Sequence, residues 1–366
     1  MQALILAGGE GTRLRPLTST VPKPVVPLVD RPFAAYMLEW LRSHGVDDVV
    51  MACGFMAEGV RDVLGDGSAL GVRLRYLAEP RPLGTAGAIR FAQDLLDERF
   101  LVLNGDVLTD IDVSAQIAAH ETTGARATLA LMGVEDPTGY GLVSVDGEGR
   151  VTDFLEKPGP GFAGAPLINA GVYVLARDVI DLIEPEQMVS IERDVFPALI
   201  GDGLQAVRAD GYWMDIGTPE RYLQGTYDIL EGRVATPVRE RLGEDGRSVG
   251  EGSRIAGSIL PPALLEDDCQ VAEGATVGGG VVLRRGVSVG AGSRVERAVV
   301  LEGAEIGSEC SLSACVVGPG ARVGDGCTIE GGVMLGEGVS LGAGNQLKSG
   351  ARLFPGVSLP DRAIAF

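Results

Sequence analysis

Over the last third of the chain apolar residues return at every sixth position, and that period admits very few folds. Val271, Val277, Leu283, Val289, Val295 and Leu301 keep it without a break. After one slip it continues at Ile306 and Leu312, and again from Val323 through Ile329, Leu335, Leu341, Leu347 and Leu353. A helix repeats at roughly 3.6 residues and a half-buried strand at about 2, so neither fits. A sustained period of six predicts a triangular, left-handed parallel β-helix of hexapeptide repeats. Each side is one short strand, and each periodic residue points inward. Glycine follows many of them, as in Val289-Gly290, Ile306-Gly307, Val323-Gly324 and Leu341-Gly342, and permits tight corners.

The chain before this repeat reads differently. Strand patterns at Ala3–Leu6, Asp48–Ala52, Arg73–Leu77, Phe100–Leu103 and Ala127–Met132 alternate with helical patterns at Phe33–Ser43, Met56–Leu64, Thr85–Leu96 and Val113–Thr122. Shorter strands follow at Leu142–Val145, Val151–Leu155 and Ile168–Leu175, and a helix at Pro219–Leu230. This alternation predicts an α/β, Rossmann-like domain with a mainly parallel mixed sheet, whose ligands bind beyond the carboxyl ends of the strands. The expected division is a domain over 1–232, a polar linker over 233–249 and the β-helix over 250–366.

Composition excludes several classes of function. The 366 residues carry a net charge of −19, which repels nucleic acid and makes the few N-terminal cations, Arg13, Arg15 and Lys23, stand out. No run of eighteen apolar residues occurs, so no membrane span is expected. The apolar start Met1–Ala7 has no basic head and runs at once into Gly8-Gly9, so it reads as a first strand and not a signal peptide. Five cysteines, an odd number with no C-x-x-C pair, read as reduced, buried thiols of a cytoplasmic protein. The two histidines, His44 and His120, read as surface or capping residues, and their scarcity argues against zinc sites and Ser-His triads.

The chemistry-bearing residues lie where the first strand ends. Leu6-Ala7-Gly8-Gly9-Glu10-Gly11-Thr12-Arg13-Leu14 is a glycine-rich turn whose N–H groups can approach phosphate, and Arg13 can add a charged fork. It is neither a Walker A loop, since no Gly-Lys-Ser/Thr follows, nor a dinucleotide fingerprint, since Leu14 takes the third glycine's place. Val21-Pro22-Lys23-Pro24 then holds a lysine between two prolines, which suggests a positioned ammonium.

Gly-x-Gly-Thr-Arg-Leu with a downstream Pro-Lys resembles the signature of nucleoside-diphosphate-sugar pyrophosphorylases, and the likeness extends over essentially the whole chain. Phe100–Asp106 is similar to the family's strand ending in a metal aspartate, Glu156-Lys157-Pro158 to its sugar-phosphate lysine, Ile168–Tyr173 to its sugar-binding strand, and Tyr212–Thr218 to its second metal aspartate. Within the family the mannose-1-phosphate guanylyltransferases are the most similar, through Pro82–Gly87, Trp213–Gly217, Ser190-Ile191-Glu192 before Asp194–Pro197, and the attached β-helix. Glucose-1-phosphate uridylyl- and thymidylyltransferases share most of this core and stay as an alternative.

The resemblance implies an enzyme joining GTP to mannose 1-phosphate with release of pyrophosphate. A phosphate monoester has its second pKa near ~6, so the attacking oxygen is already largely ionised and no general base is needed. What matters is positioning and neutralisation of repelling anions. Asp106 and Asp215 are implied Mg²⁺ ligands. Read singly, Asp106 fits a turn-former after Asn104-Gly105 equally well, and Asp215 a cap beside the next helix. Arg13 and Lys23 are implied to hold the triphosphate and Lys157 the sugar phosphate. Gly141, Glu156 and Asn169 would meet sugar hydroxyls, and Gly84 and Thr85, with the Leu6-Ala7-Gly8-Gly9 and Gly11-Thr12 backbone, would line the nucleotide site. Trp40 and Trp213 read as core.

Two other functions compete with this reading. Hexapeptide β-helices often serve acyltransferases that use a histidine base, but residues 233–366 contain none. A sugar-nucleotide-binding regulatory subunit should have lost phosphate or metal residues, and here Gly11, Thr12, Arg13, Lys23, Asp106, Lys157 and Asp215 are all present. The tail is accordingly expected to serve stability or assembly, in a homo-oligomer.

Overall fold

The computed structural model describes residues 1–156 and 166–365. The chain forms two compact units. One comprises Met1–Glu10 and Ala34–Trp213, the other Gly11–Phe33 and Met214–Phe366.

The first unit is built on a nine-stranded mixed sheet. Its strands are β1 (Gln2–Ala7), β2 (Asp48–Cys53), β3 (Arg73–Ala78), β4 (Arg99–Asn104), β5 (Ala127–Gly133), β6 (Gly141–Val145), β7 (Val151–Glu156), β8 (Leu167–Ala176) and β9 (Leu204–Arg208). The order β7-β6-β8-β4-β1-β2-β3 places β1 at the centre of the parallel part, with β2 and β4 as its parallel neighbours. That is why Ala3, Leu4 and Ile5 can form an unbroken apolar run: both faces of the strand are covered. β8 runs antiparallel to β4 and β5, and β9, which the sequence pattern did not suggest, adds parallel to β5. Helices α1 (Phe33–Ser43), α2 (Ala57–Leu64), α3 (Gly84–Phe91) and α4 (Val113–Thr123) connect the strands. The helix expected over Thr85–Leu96 stops at Phe91 and is followed by a 3₁₀ turn at Gln93–Leu95.

One helix departs from expectation in its histidine. Asp112 caps α4 by accepting from the amides of Ser114 and Ala115, and Gly124 closes it in the left-handed region. His120, expected at the surface, is buried, with Nδ1 2.9 Å from Thr128 Oγ1. Burial pushes its pKa down, so it packs as a neutral ring. His44 lies at the end of α1, with Nδ1 2.9 Å from Ser114 Oγ.

In the second unit the tail is a parallel β-helix whose strands stack on three sides. Val271 stacks on Val289, Val289 on Ile306, Ile306 on Val323 and Val323 on Leu341, so the step is 18 residues at either end and 17 in the middle. The shortening has a local cause. Two full-length coils turn one corner on two glycines, Gly279-Gly280 and Gly331-Gly332, whereas the short ones use a single left-handed residue, Arg297 (φ 46°) or Ala314 (φ 47°). The inward place after Val295 therefore falls on Val300, one residue before the Leu301 that the strict period predicts.

The interior takes two residues per strand, such as Ala263 and Leu265, Val281 and Leu283, or Cys315 and Val317. Cys269, Cys310, Cys315 and Cys327 all belong to this interior as free thiols. Between the inward pairs, Leu264, Val282, Val299, Val316 and Met334 stack in register on the outside of one wall, yet all are buried. Helix α5 (Pro219–Leu230) packs along this wall, and its Tyr227 donates from Oη to the Arg297 carbonyl at 2.5 Å. Within the same unit Tyr222 Oη donates to the Pro27 carbonyl at 2.6 Å, so the Gly11–Phe33 segment is fastened there too. The 233–249 stretch holds one helical turn, Val238–Arg241, and from Arg247 pairs with Ala263–Leu265 as the first rung.

Candidate active site

In the first unit the glycine turn, the aspartate motif and the Gly84 loop meet beyond the carboxyl ends of β1, β2, β3 and β4. Leu6 of β1 lies opposite Asn104 of β4, and Gly105 donates its amide to the Leu6 carbonyl at 2.9 Å. A Cβ on Gly105 would sit 2.5 Å from that oxygen, so only glycine lets the chain turn there to present Asp106. Gly84 starts α3 at φ 73°, and a Cβ there would lie 2.5 Å from the Val189 carbonyl. Thr85 next to it donates to Glu192 and accepts the Ile191 amide, each at 2.8 Å.

Glu79 enters this crevice and was not singled out in the sequence. It follows β3 directly, and its Oε1 lies 2.8 Å from where a Cβ on Gly8 would be. Its carboxylate is pushed above its ordinary pKa by burial, opposed by the Leu83 amide that donates to Oε2 at 3.4 Å. The position was findable, since β3 is parallel to β2 and its carboxyl end must open on the same crevice.

A second polar group sits where β8 bulges. The register of β8 against β5 shifts between Asn169 and Tyr173, around Gly171 at φ 72°. Asn169 bridges the bulge: Oδ1 accepts from the Gly171 amide at 3.0 Å, and Nδ2 donates to Tyr173 Oη at 2.8 Å. Tyr173 Oη donates on to Glu192 Oε1 at 3.4 Å, and Glu192 Oε2 also accepts from Ser190 Oγ at 2.7 Å. Glu192 belongs to a five-residue π-helical stretch, Ile191–Val195, a widened turn of the kind often found at functional sites. Burial raises the Tyr173 pKa well above its ordinary value, so the phenol stays protonated. Glu156 at the end of β7 pairs with Gly141 at the start of β6, and a Cβ on Gly141 would lie 2.7 Å from Glu156 Oε2. Lys157 lies outside the described residues. Trp213 is half-buried, donating from Nε1 to the Ala170 carbonyl, and Trp40 is buried, donating to the Ile111 carbonyl.

The rest of the signature belongs to the second unit. Gly11 takes φ 63° at the start of the 3₁₀ turn Thr12–Leu14, which carries Arg13. Thr18 Oγ1 donates to the Gly11 carbonyl at 2.7 Å, and Lys23 starts a further 3₁₀ turn, Lys23–Val25. Arg13 Nη2 lies 2.8 Å from where a Cβ on Gly217 would be, and Asp215 Oδ1 3.2 Å from the same point. Asp215 is ion-paired to Arg221 through Oδ1, a partner not foreseen in the sequence.

With this geometry in hand, the comparisons decide the family. Residues 2–232 match the nucleotidyl transferase family model, and residues 259–357 match the GMPPB C-terminal domain model. The chain belongs to the nucleotidyl transferase family. It is 38% identical over 317 residues to a mannose-1-phosphate guanylyltransferase of Mycobacterium tuberculosis, covering 85% of this chain and 83% of that one. It is 36% identical over 346 residues to the mannose-1-phosphate guanylyltransferase catalytic subunit beta of Danio rerio, covering 92% and 91%. Among solved structures, HddC from Yersinia pseudotuberculosis is 30% identical, with a TM-score of 0.54 over 61% of this chain and 97% of that chain. As a nucleotidyl transferase with these relatives, the chain is a sugar-1-phosphate nucleotidyltransferase enzyme. Among the described residues no helix is long and apolar enough to cross a membrane.

A family of this chemistry works with a divalent metal, and the side chains can be tested for it. Among the described residues no group of three or more His, Cys, Asp or Glu forms a cage. One or two carboxylates, such as Asp106 and Asp215, are nonetheless the donors a hard cation takes when phosphates and water supply the rest. Asn104 Oδ1, two residues before Asp106, is a buried acceptor with no hydrogen-bond partner.

Proposed function

We propose that this nucleotidyl transferase joins GTP to mannose 1-phosphate, giving GDP-mannose and pyrophosphate. The observation that carries the choice of base is Glu79. A half-buried carboxylate facing the Gly8 backbone can accept both N1–H and N2–H of guanine, whereas uracil and thymine present a single ring N–H flanked by carbonyl oxygens. The names of the relatives agree with this base and this sugar.

In the reaction a phosphate oxygen of the sugar phosphate bonds to the α-phosphorus, the bond from that phosphorus to the bridging oxygen breaks, and pyrophosphate leaves with its electron pair. The attacking oxygen arrives ionised, so the protein moves no proton. Arg13 and Lys23 neutralise the triphosphate and the departing pyrophosphate, with the amides of Gly8, Gly9, Gly11 and Thr12 at its oxygens. Lys157 holds the sugar phosphate. Gly141, Glu156 and Asn169 meet sugar hydroxyls, with Tyr173 and Glu192 fixing the Asn169 amide. Gly84 and Thr85 bound the base. Asp106 and Asp215 hold Mg²⁺, which when bound neutralises charge on the reacting phosphates. The working protein is a cytoplasmic homo-oligomer in which residues 1–232 carry the reacting groups and 250–366 form the β-helix. Pyrophosphate release from five nucleoside triphosphates against mannose, glucose and N-acetylglucosamine 1-phosphates tests the assignment. A preference for UTP or dTTP with glucose 1-phosphate would overturn it.

A further inference from the structure

Arg352 of the β-helix reaches the signature loop. Arg352 lies near the end of the repeat, in the short strand Arg352–Leu353, which pairs with Met334–Leu335 of the coil before it. Leu353 points into the interior, and Arg352 points out. Its Nη1 donates to two carbonyls of the Gly11–Phe33 segment, Arg13 at 2.9 Å and Arg15 at 3.2 Å. Two more arginines from beyond the signature hold the far end of the same segment. Arg284 Nη1 donates to the Val29 carbonyl at 3.0 Å, and Arg241 pairs with the buried Asp30 at 2.6 Å. Arg284 is itself fixed between Glu266 and Glu302.

The Arg352 and Arg284 contacts fall on backbone carbonyls, whereas Arg241 meets the Asp30 carboxylate. The turn Thr12–Leu14 is closed by only two backbone bonds, Leu14 N to Gly11 O at 2.9 Å and Arg15 N to Thr12 O at 3.3 Å. So short a turn does not fix itself. A guanidinium anchored on a stacked β-helix coil and holding the carbonyls on either side of Leu14 sets where the Arg13 Cα stands, and hence where its guanidinium lies beside Gly217 and Asp215. We propose that Arg352 is a positioning residue for triphosphate binding: the β-helix presets the phosphate-gripping turn, so the tail contributes to catalysis without touching substrate. The inference rests on Arg13 acting on the triphosphate, as proposed above.

The test is steady-state pyrophosphate release by the full chain and its Arg352→Ala, Arg352→Lys, Arg13→Ala and Arg322→Ala variants. Arg322 is an exposed arginine of the same repeat, paired only loosely with Glu305 at 3.5 Å, and serves as the control. Misplacing a phosphate-binding group by around an ångström costs up to roughly 100-fold. Arg352→Ala should therefore raise KM for the triphosphate, or lower kcat, by about 10- to 100-fold, with KM for the sugar phosphate moving less than about twofold. Its melting temperature should stay within about 2 °C of the parent, as for other surface changes. Arg352→Lys, a single-point donor, should fall between, and Arg322→Ala should match the parent. Triphosphate kinetics of Arg352→Ala within twofold of the parent, or equal shifts in both KM values, would overturn the proposal. If Arg13→Ala is also silent, the assignment of the loop itself fails. If Arg13→Ala is crippled while Arg352→Ala is silent, only the positioning role fails.

Discussion

Replacing Glu79 by glutamine puts the base-reading role at risk while keeping the side chain's shape. An ionised carboxylate offers acceptors to both guanine N–H groups, whereas glutamine offers one acceptor and sets an N–H against the other. Losing a hydrogen bond to a charged group costs about 1.5–3 kcal/mol, so GTP affinity should fall roughly 10- to 150-fold. The pH dependence follows from the same residue. Burial raises the Glu79 pKa, so its contribution to folding is fully present below the unfolded pKa and is lost as pH rises through the folded one. At pH 7 the ionised side chain is thus a cost to the empty fold, and Glu79→Gln should raise the melting temperature there, with the gain fading in acid. Native GTP binding should in turn weaken as pH falls through that raised pKa. The measurements are calorimetric titration with GTP, and thermal melts, between about pH 4.5 and 8. The phosphates titrate alike in both proteins, so the ratio of native to variant affinity isolates Glu79. A pH-independent ratio near one would refute the reasoning.

The remaining tests concern the phosphates and the fold. Asp106→Ala or Asp215→Asn should lower kcat on the order of 100-fold or more at saturating Mg²⁺ with the melting temperature little changed; near-normal turnover would remove the metal role. The asparagine keeps an acceptor for Arg221, so a role confined to that ion pair would leave Asp215→Asn active. Lys157→Ala should raise KM for the sugar phosphate far more than for the triphosphate, and Arg13→Ala should do the reverse or depress kcat; matching effects on both substrates would contradict the split. Met334→Ala should cost about 2–4 kcal/mol by denaturant unfolding, because Met334 is fully buried on the outer ladder. A cost under about 0.5 kcal/mol, as for a solvent-facing residue, would show that the wall is not covered.

The elements most legible in the sequence were those whose burial pattern is set locally. Helix α5 and helix α1 fall on the predicted residues, and the inward β-helix positions followed from one period because each side of a coil buries the same two places. The slip was legible only as a slip. Its site depends on which corner closes with one left-handed residue, and nothing in Arg297 or Ala314 announces that conformation. The outer ladder was invisible for a different reason. Leu264, Val282, Val299, Val316 and Met334 sit at positions that on a bare β-helix face water, and they are apolar because another part of the chain lies on them. An exception to a period thus carries tertiary information that the period lacks.

The same holds for the candidate site. Residues carried on short motifs, such as Gly11, Arg13, Asp106 and Asn169, could be named from the sequence, since each motif brings its own local geometry. Glu79 could be placed at the crevice by its strand but not set against Gly8, and Glu192 could not be set against Thr85, because those neighbours are distant along the chain; Tyr173 takes its place through nearby Asn169 and through Glu192. Arg352 extends this to its limit, lying 339 residues from the carbonyl it holds. A tail read by composition alone, without histidine and without a phosphate loop, looks separable from the chemistry. Arg352 holds the carbonyls of the signature turn and Arg284 that of Val29, so on the reading proposed above the division between a reacting domain and a structural tail need not follow the order of the chain. The turn proposed to grip phosphate is then better regarded as part of the second compact unit, with its placement drawn from the stacked coils.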